Sequence, residues 1–182
     1  MQDFAHWSLD AIREEGACLR WLEEFRFEWV TPTIAFLYEI LNGKTVILIT
    51  DKERDWFKNY VLTSINPKTP DRPLIPIIDI DSIYPYVNEI HTSEMIEMIE
   101  GMIEISFGEN YIFWYIGRGE DKKADIAKRR DDSYFWIFDE DYPNSFKLNS
   151  HDTNLDIKLL QLYKLFDLSL NAAMFGEVDV AS

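Results

Sequence analysis

Apolar residues in this chain fall into two textures. Near the amino end they recur at helical spacing. Leu9, Ile12, Leu19, Leu22 and Phe25 predict a first helix from about Ser8 to Phe25. A second helix follows, with Thr31 as N-cap, Pro32 in the first helical position and Gly43 as the stop. Its expected apolar face is Ile34, Leu37, Tyr38 and Leu41. The second texture is a set of short β-branched or aromatic runs: Thr45–Thr50, Leu74–Ile78, Tyr111–Ile116 and Ser133–Phe138. None of them alternates between apolar and polar, which is how strands buried on both faces of a parallel sheet read.

Helical stretches separate these runs, at about Asp51–Ile65, Thr92–Phe107 and Asp121–Arg130, and a long helix from about Asp152 to Met174 follows. Strands alternating with helices imply right-handed crossovers, hence an α/β fold: a three-layer, doubly wound parallel sheet of four to five strands with helices on both faces. Pro76 cannot donate to a ladder, so the second strand belongs at an edge. The flavodoxin-like order 2-1-3-4 puts it there, with Ser145–Leu148 as a short fifth strand. The 182 residues fit one domain, 1–182, without internal repeats or low-complexity segments.

The last helix has two apolar lines: Leu155, Leu159, Leu162, Phe166 and Leu170, then Leu160, Leu165, Leu168 and Ala172. Either the core covers both sides or a neighbouring subunit does. The second option makes Leu159, Leu162, Phe166 and Leu170 candidate oligomer contacts. The Met95–Ile103 stretch is similarly broad, with Glu94, Glu97, Glu100 and Glu104 as its wet stripe.

Charge narrows the function. With 33 acids against 18 bases the net charge is −15, and the basic cluster Lys128-Arg129-Arg130 runs straight into Asp131-Asp132. Direct nucleic-acid binding needs bases that neutralise phosphates, so none is expected, whereas a basic partner is favoured on encounter. No apolar run reaches the roughly 18 residues of a membrane span. Met1-Gln2-Asp3-Phe4 offers no signal-peptide pattern, and the single Cys18 cannot form an internal disulfide. The expected compartment is the cytoplasm.

In this fold class ligands bind at the carboxyl ends of the strands. Carboxylates crowd those ends here. Asp79 and Asp81 are the pair to weigh as a Mg²⁺ site, against the reading that they are helix caps and solvated acids. Gly117-x-Gly119 is followed by Glu120 and Asp121, which oppose an anion, so it reads as a tight turn and not a phosphate cradle. His6, His91 and His151 are scattered, Cys18 lies among glutamates, and no serine sits in a Gly-x-Ser-x-Gly elbow. No catalytic residue, cofactor or metal is assigned.

The segments TDKERDWF (Thr50–Phe57), PLIPIIDIDSIYP (Pro73–Pro85), MIEISFGENYIFWYIGRG (Met102–Gly119) and FWIFDEDYPNSFKLNS (Phe135–Ser150) stand in the order seen in the HobA family. The chain resembles that family from about Phe25 to Leu170. The resemblance implies a fold similar to sugar-isomerase (SIS) domains, a modified Rossmann sheet. It also implies a tetrameric adaptor that binds the N-terminal domain of the initiator DnaA and promotes its ordered assembly at the chromosomal origin. The alternative is a sugar-phosphate-binding or Mg²⁺-dependent phosphoryl enzyme on the same fold. SIS-type sugar-phosphate binders hold phosphate in Ser/Thr-rich strand-end loops, where this chain has TDKER, DIDS and GRGED. Arg and Trp enrich binding hot spots, so Arg54, Trp56 and Trp29 are the candidate partner contacts.

Overall fold

Every residue of the run Thr45–Thr50 after the first is buried, but consecutive side chains go to different places. Val46 and Leu48 join one hydrophobic core, and Ile47 and Ile49 the other. The computed structural model of the chain describes residues 2–67 and 72–180. Its main sheet consists of β2 (Thr45–Thr50), β3 (Ile77–Asp79), β4 (Tyr111–Arg118), β5 (Tyr134–Phe138) and β6 (Ser145–Leu148). All are parallel, in the order β3-β2-β4-β5-β6. This is the expected order, with the short fifth strand present. The edge strand begins one residue later than Pro76, whose carbonyl accepts from Val46 N at 2.8 Å. The proline thus serves the ladder only as an acceptor.

Helices α1 (Phe4–Glu14), α2 (Arg26–Leu41), α3 (Asp55–Ser64) and α7 (Leu155–Met174) supply the core on one face. Helices α4 (Ile80–Ile83), α5 (Ser93–Phe107) and α6 (Lys122–Ala127) supply it on the other. Two short parallel strands, β1 (Gln2–Asp3) and β7 (Val178–Asp179), tie the ends of the described chain together. Among the described residues no helix is long and apolar enough to cross a membrane.

The first two helices differ from expectation. Asp3 caps α1 by accepting from His6 N at 3.0 Å, so the helix starts earlier. It stops earlier too, because Gly16 takes a positive φ of 64° and the chain continues as two 3₁₀ turns, Gly16–Cys18 and Arg20–Leu22. Helix α2 begins at Arg26, so Thr31 is not its cap and Pro32 lies inside it. The proline has no N–H to give the Glu28 carbonyl, which belongs to an exposed residue open to water. On either side, Thr31 and Thr33 hydroxyls donate to the Phe27 and Trp29 carbonyls at 3.3 and 2.6 Å. Its buried face is not the expected one: Trp29, Val30, Pro32, Thr33, Phe36, Leu37 and Ile40 are buried, while Tyr38 and Leu41 are exposed. The stop is as expected: Gly43 at φ 87° lets its own N–H reach Ile40 O and the Lys44 N–H reach Glu39 O.

Helix α7 resolves the question of its two apolar lines. It packs among α1, α2 and α3, and Leu159, Leu162, Leu165, Phe166 and Leu170 are all 0% exposed within the single chain. Phe166 lies 4.8 Å from the Trp114 ring and 5.7 Å from Phe36. Leu159, Leu162, Phe166 and Leu170 are therefore core residues and not oligomer contacts. A helix that its own fold covers on two sides needs a broad apolar surface without a neighbouring subunit. Each such side chain contributes about 1.5–3 kcal/mol by burial.

Candidate partner-binding surface

The strand-end rim, where this fold class places ligands, is occupied by the protein's own carboxylates. Asp51 caps the turn after β2. Its Oδ1 accepts from Arg54 N at 3.1 Å, and its Oδ2 accepts from Arg118 N at 2.8 Å and from the Arg54 guanidinium. Burial opposes the charge on Arg54, but Asp51 and Glu53 outweigh it and hold the guanidinium above its ordinary pKa. Burial, reinforced by Asp121 and Asp51, raises the Tyr115 phenol, which stays neutral and donates to Arg118 O at 2.7 Å.

Both rim glycines are backed by acids. A Cβ on Gly119 would fall 1.8 Å from Glu140 Oε2, and that carboxylate is held by Lys128 Nζ at 2.9 Å. The Asp121 N–H closes a turn onto Arg118 O at 3.2 Å. The cleft of about 360 Å³ left at the rim is lined by Asp51, Lys52, Glu53, Arg54, Arg118, Glu120 and Asp121. Its arginines already face acids, so a phosphate entering it would meet four carboxylates against the single exposed cation of Lys52. Asp79 and Asp81 are engaged separately. Asp79 caps α4 by accepting from Ser82 N at 2.6 Å, while Asp81 pairs with Lys58.

Beyond the rim, α3 turns two aromatic rings outward. Trp56 and Tyr60 stand one helical turn apart and are 40% and 41% exposed. Trp56 meets Phe57 edge-on at 5.4 Å, and Tyr60 meets Tyr163 of α7 edge-on at 5.4 Å. Next to them a groove of about 470 Å³ opens between α3, α7 and the first 3₁₀ turn. Leu19, Tyr60, Ile157, Leu160 and Tyr163 give it an apolar floor. Glu15 and Lys164, paired at 2.5 Å, stand at its rim. Half-exposed, rigidly backed aromatics beside an apolar groove have the composition of a protein-binding hot spot.

Only one of the three candidate contacts lies on this surface. Trp56 does. Arg54 is 5% exposed and spent on Asp51 and Glu53, so it positions the rim and does not reach outward. Trp29 is 0% exposed, stacked on Phe4 at 5.9 Å, because the early start of α2 turns it into the core. Tyr60 and Ile157 were not marked by sequence alone, and Leu160 only as part of the second apolar line of the last helix; the Trp56–Tyr60 spacing of four on a short helix is the signal that points to Tyr60.

Comparison with known proteins bears on the whole chain. The sequence model of the HobA family, described as a DNA replication regulator, matches residues 1–180. The DNA replication regulator protein HobA of Helicobacter pylori is 32% identical over 186 residues, covering 98% of this chain and 99% of that protein. Among solved structures, a HobA–DnaA (domain I-II) complex from Helicobacter pylori matches with a TM-score of 0.77 and 30% identity. HobA from the same organism matches with 0.75 and 28%. Both matches cover 98% of this chain and 99% of the other. The chain belongs to the HobA family of DNA replication regulators.

Proposed function

We propose that this chain is a non-catalytic cytoplasmic adaptor that binds the N-terminal region of the initiator DnaA and promotes its ordered assembly at the chromosomal origin. The observation that carries the reading is the likeness, along 98% of the chain, to a HobA solved in complex with DnaA domain I-II. The groove lined by Tyr60, together with Trp56 one turn away on α3, is the surface we assign to that partner. The filled strand-end rim supports the non-catalytic half of the reading, since Asp51 and Glu140 stand where an anionic substrate would need backbone N–H groups. Charge supports an indirect action on DNA: at −15 the free chain is repelled by the duplex.

The proposal extends to a homo-oligomer, a tetramer by family resemblance, in which each copy holds one DnaA molecule. Such an assembly raises the effective concentration of DnaA along the origin without new DNA contacts. Its subunit interface lies on residues other than the buried line of α7. Mobility-shift assays test the reading. The chain alone leaves origin DNA unshifted even at low salt. Added to DnaA, it enlarges the complexes on a multi-site origin fragment and changes little on a single-site one. Direct DNA binding by the free chain, or no effect on DnaA assembly, overturns it.

A further inference from the structure

We infer that α5 carries a second docking surface, for a cationic amphipathic helix of another protein, on the opposite face of the sheet from the Tyr60 groove. Helix α5 is apolar along two lines. Ile96, Ile99 and Ile103 are buried against the sheet. Met95, Met98, Met102 and Ile105 form the other line at spacings of three, four and three, which keeps them on one face; Met95 at its amino end is half-buried against the same core, and the other three are exposed. Met98 is 47% exposed and Ile105 90%. The line from Met95 to Ile105 runs about 15 Å at the rise of an α-helix, the length of some three turns of a partner helix.

A second observation points to an occupant. Gly101 lies one turn from both Met98 and Ile105, in the interior of a helix, where only proline is less favourable. The chain's own packing does not require it: a Cβ built there meets no atom within 4 Å. It leaves a notch in the apolar line through which a partner's backbone can approach closely. Methionine side chains adapt their shape to what docks on them, so a run of three suits a helix brought by another protein.

Charge decides which helix. Within its 15 residues α5 carries Glu94, Glu97, Glu100 and Glu104 and no lysine or arginine. Arg129, in the turn after α6, reaches Glu100 at 3.0 Å and Glu97 at 3.9 Å. Among the described residues no base stands within ion-pair distance of Glu94 or Glu104. A second copy of α5 would bring one glutamate row against another in any orientation. A helix whose apolar stripe is flanked by lysine or arginine meets the same row with opposite charge.

The inference uses different residues from the DnaA reading and is tested apart from it. The probe is a fluorescein-labelled Leu/Lys amphipathic helix of about 14 residues, titrated with the full chain and followed by anisotropy in physiological salt. Saturable binding is expected. It weakens about tenfold or more in Met98→Ser/Met102→Ser/Ile105→Ser and in Glu94→Gln/Glu104→Gln, each shift of 1.4 kcal/mol being tenfold. Trp56→Ala leaves it unchanged, and the α5 variants keep their circular dichroism and their binding to DnaA domain I-II. Absence of saturable binding overturns the inference. So does binding indifferent to every α5 variant, which marks general charge attraction. A fall in oligomer mass in the Met/Ile variant assigns the face to a second copy, and parallel loss of DnaA binding assigns it to DnaA. Failure of wild-type chain to bind DnaA with the peptide results intact refutes only the proposed function.

Discussion

The carboxylate of Asp51 occupies the space that a side chain on Gly117 would need. A Cβ on that glycine would come within 2.6 Å of Asp51 Oδ2 and within 2.9 Å of its Cβ. Strand end and carboxylate hold each other in place, and the Arg118 N–H at 2.8 Å completes the contact.

This pairing makes the two positions energetically coupled. Gly117→Ala is expected to lower stability by about 1–3 kcal/mol, as overpacking of a rigid site does. Asp51→Ala also destabilises, by leaving the buried Arg54 with less compensation. Asp51→Ala removes the Oδ2 and Cγ contacts but keeps the Cβ at 2.9 Å, and φ 155° strains an alanine at 117 in either background, so the double variant loses less than the sum by the carboxylate's share of the clash alone. Chemical denaturation of the four proteins measures this, and simple additivity contradicts the contact.

The two tryptophans marked from the sequence separate in the same type of experiment. Trp29→Ala empties a fully buried site and is expected to cost about 3–5 kcal/mol of stability. Trp56→Ala removes a half-exposed ring and changes the melting midpoint far less. Its effect appears in binding to DnaA domain I-II, weakened by about tenfold or more if the ring is a hot spot. Calorimetry on both variants distinguishes them; equal stability losses contradict the burial assignment.

Charge placed on the buried line of α7 unfolds the chain without dissociating a folded oligomer. Leu162→Glu and Phe166→Glu each put a carboxylate where the side chain is 0% exposed, with no cation provided for it. Loss of near-ultraviolet dichroism together with any change in mass is the expected result. A smaller, fully folded species from either variant would return these residues to an interface.

A cluster at the amino ends of β2 and β5 sets an acid limit. Asp132 accepts from Lys44 Nζ at 2.8 Å and from Arg130 Nε at 3.0 Å. Burial pushes its pKa up, but the two cations outweigh that and hold the carboxyl below its ordinary value of 3.8. A carboxyl depressed by folding contributes stability that is fully present above the unfolded value and is lost as pH falls toward the folded one. The stability gap between wild type and Asp132→Asn should therefore hold steady from neutral pH to about 5 and narrow below about 4. A gap that stays constant to the lowest measurable pH contradicts the assignment.

The sheet could be read from the chain because its strands are apolar without alternation, and because Pro76 excludes a central place for the second one. What could not be read shares one cause: the identity of the neighbour on the far side of a helix is not local information. The two apolar lines of α7 state that two sides are covered but not by what; here the same chain covers the first line and, of the second, Leu165 and Ala172, while Leu160 and Leu168 stay partly exposed. Trp29 and Trp56 are chemically alike, and their fates divide on helix phase. That phase depends on α2 starting at Arg26, five residues before the Thr31-Pro32 signal that a start would ordinarily give. Likewise Gly16 ends α1 inside an apolar pattern that reads as continuous, since Leu19, between the two 3₁₀ turns, and Leu22, in the second, are both buried. The rim was legible as acidic, but its closure by Asp51 and Glu140 over the two glycines appears only in three dimensions.

The central claim, that this chain holds the N-terminal region of DnaA on its α3–α7 surface, is tested most directly by isothermal titration with cognate DnaA domain I-II. Wild-type chain is expected to give a saturable heat with one DnaA fragment bound per copy. Trp56→Ala and Tyr60→Ala, still folded, are expected to weaken it by about tenfold or more. No heat and no co-elution at tens of micromolar, or an affinity that both variants leave unchanged, would contradict the account.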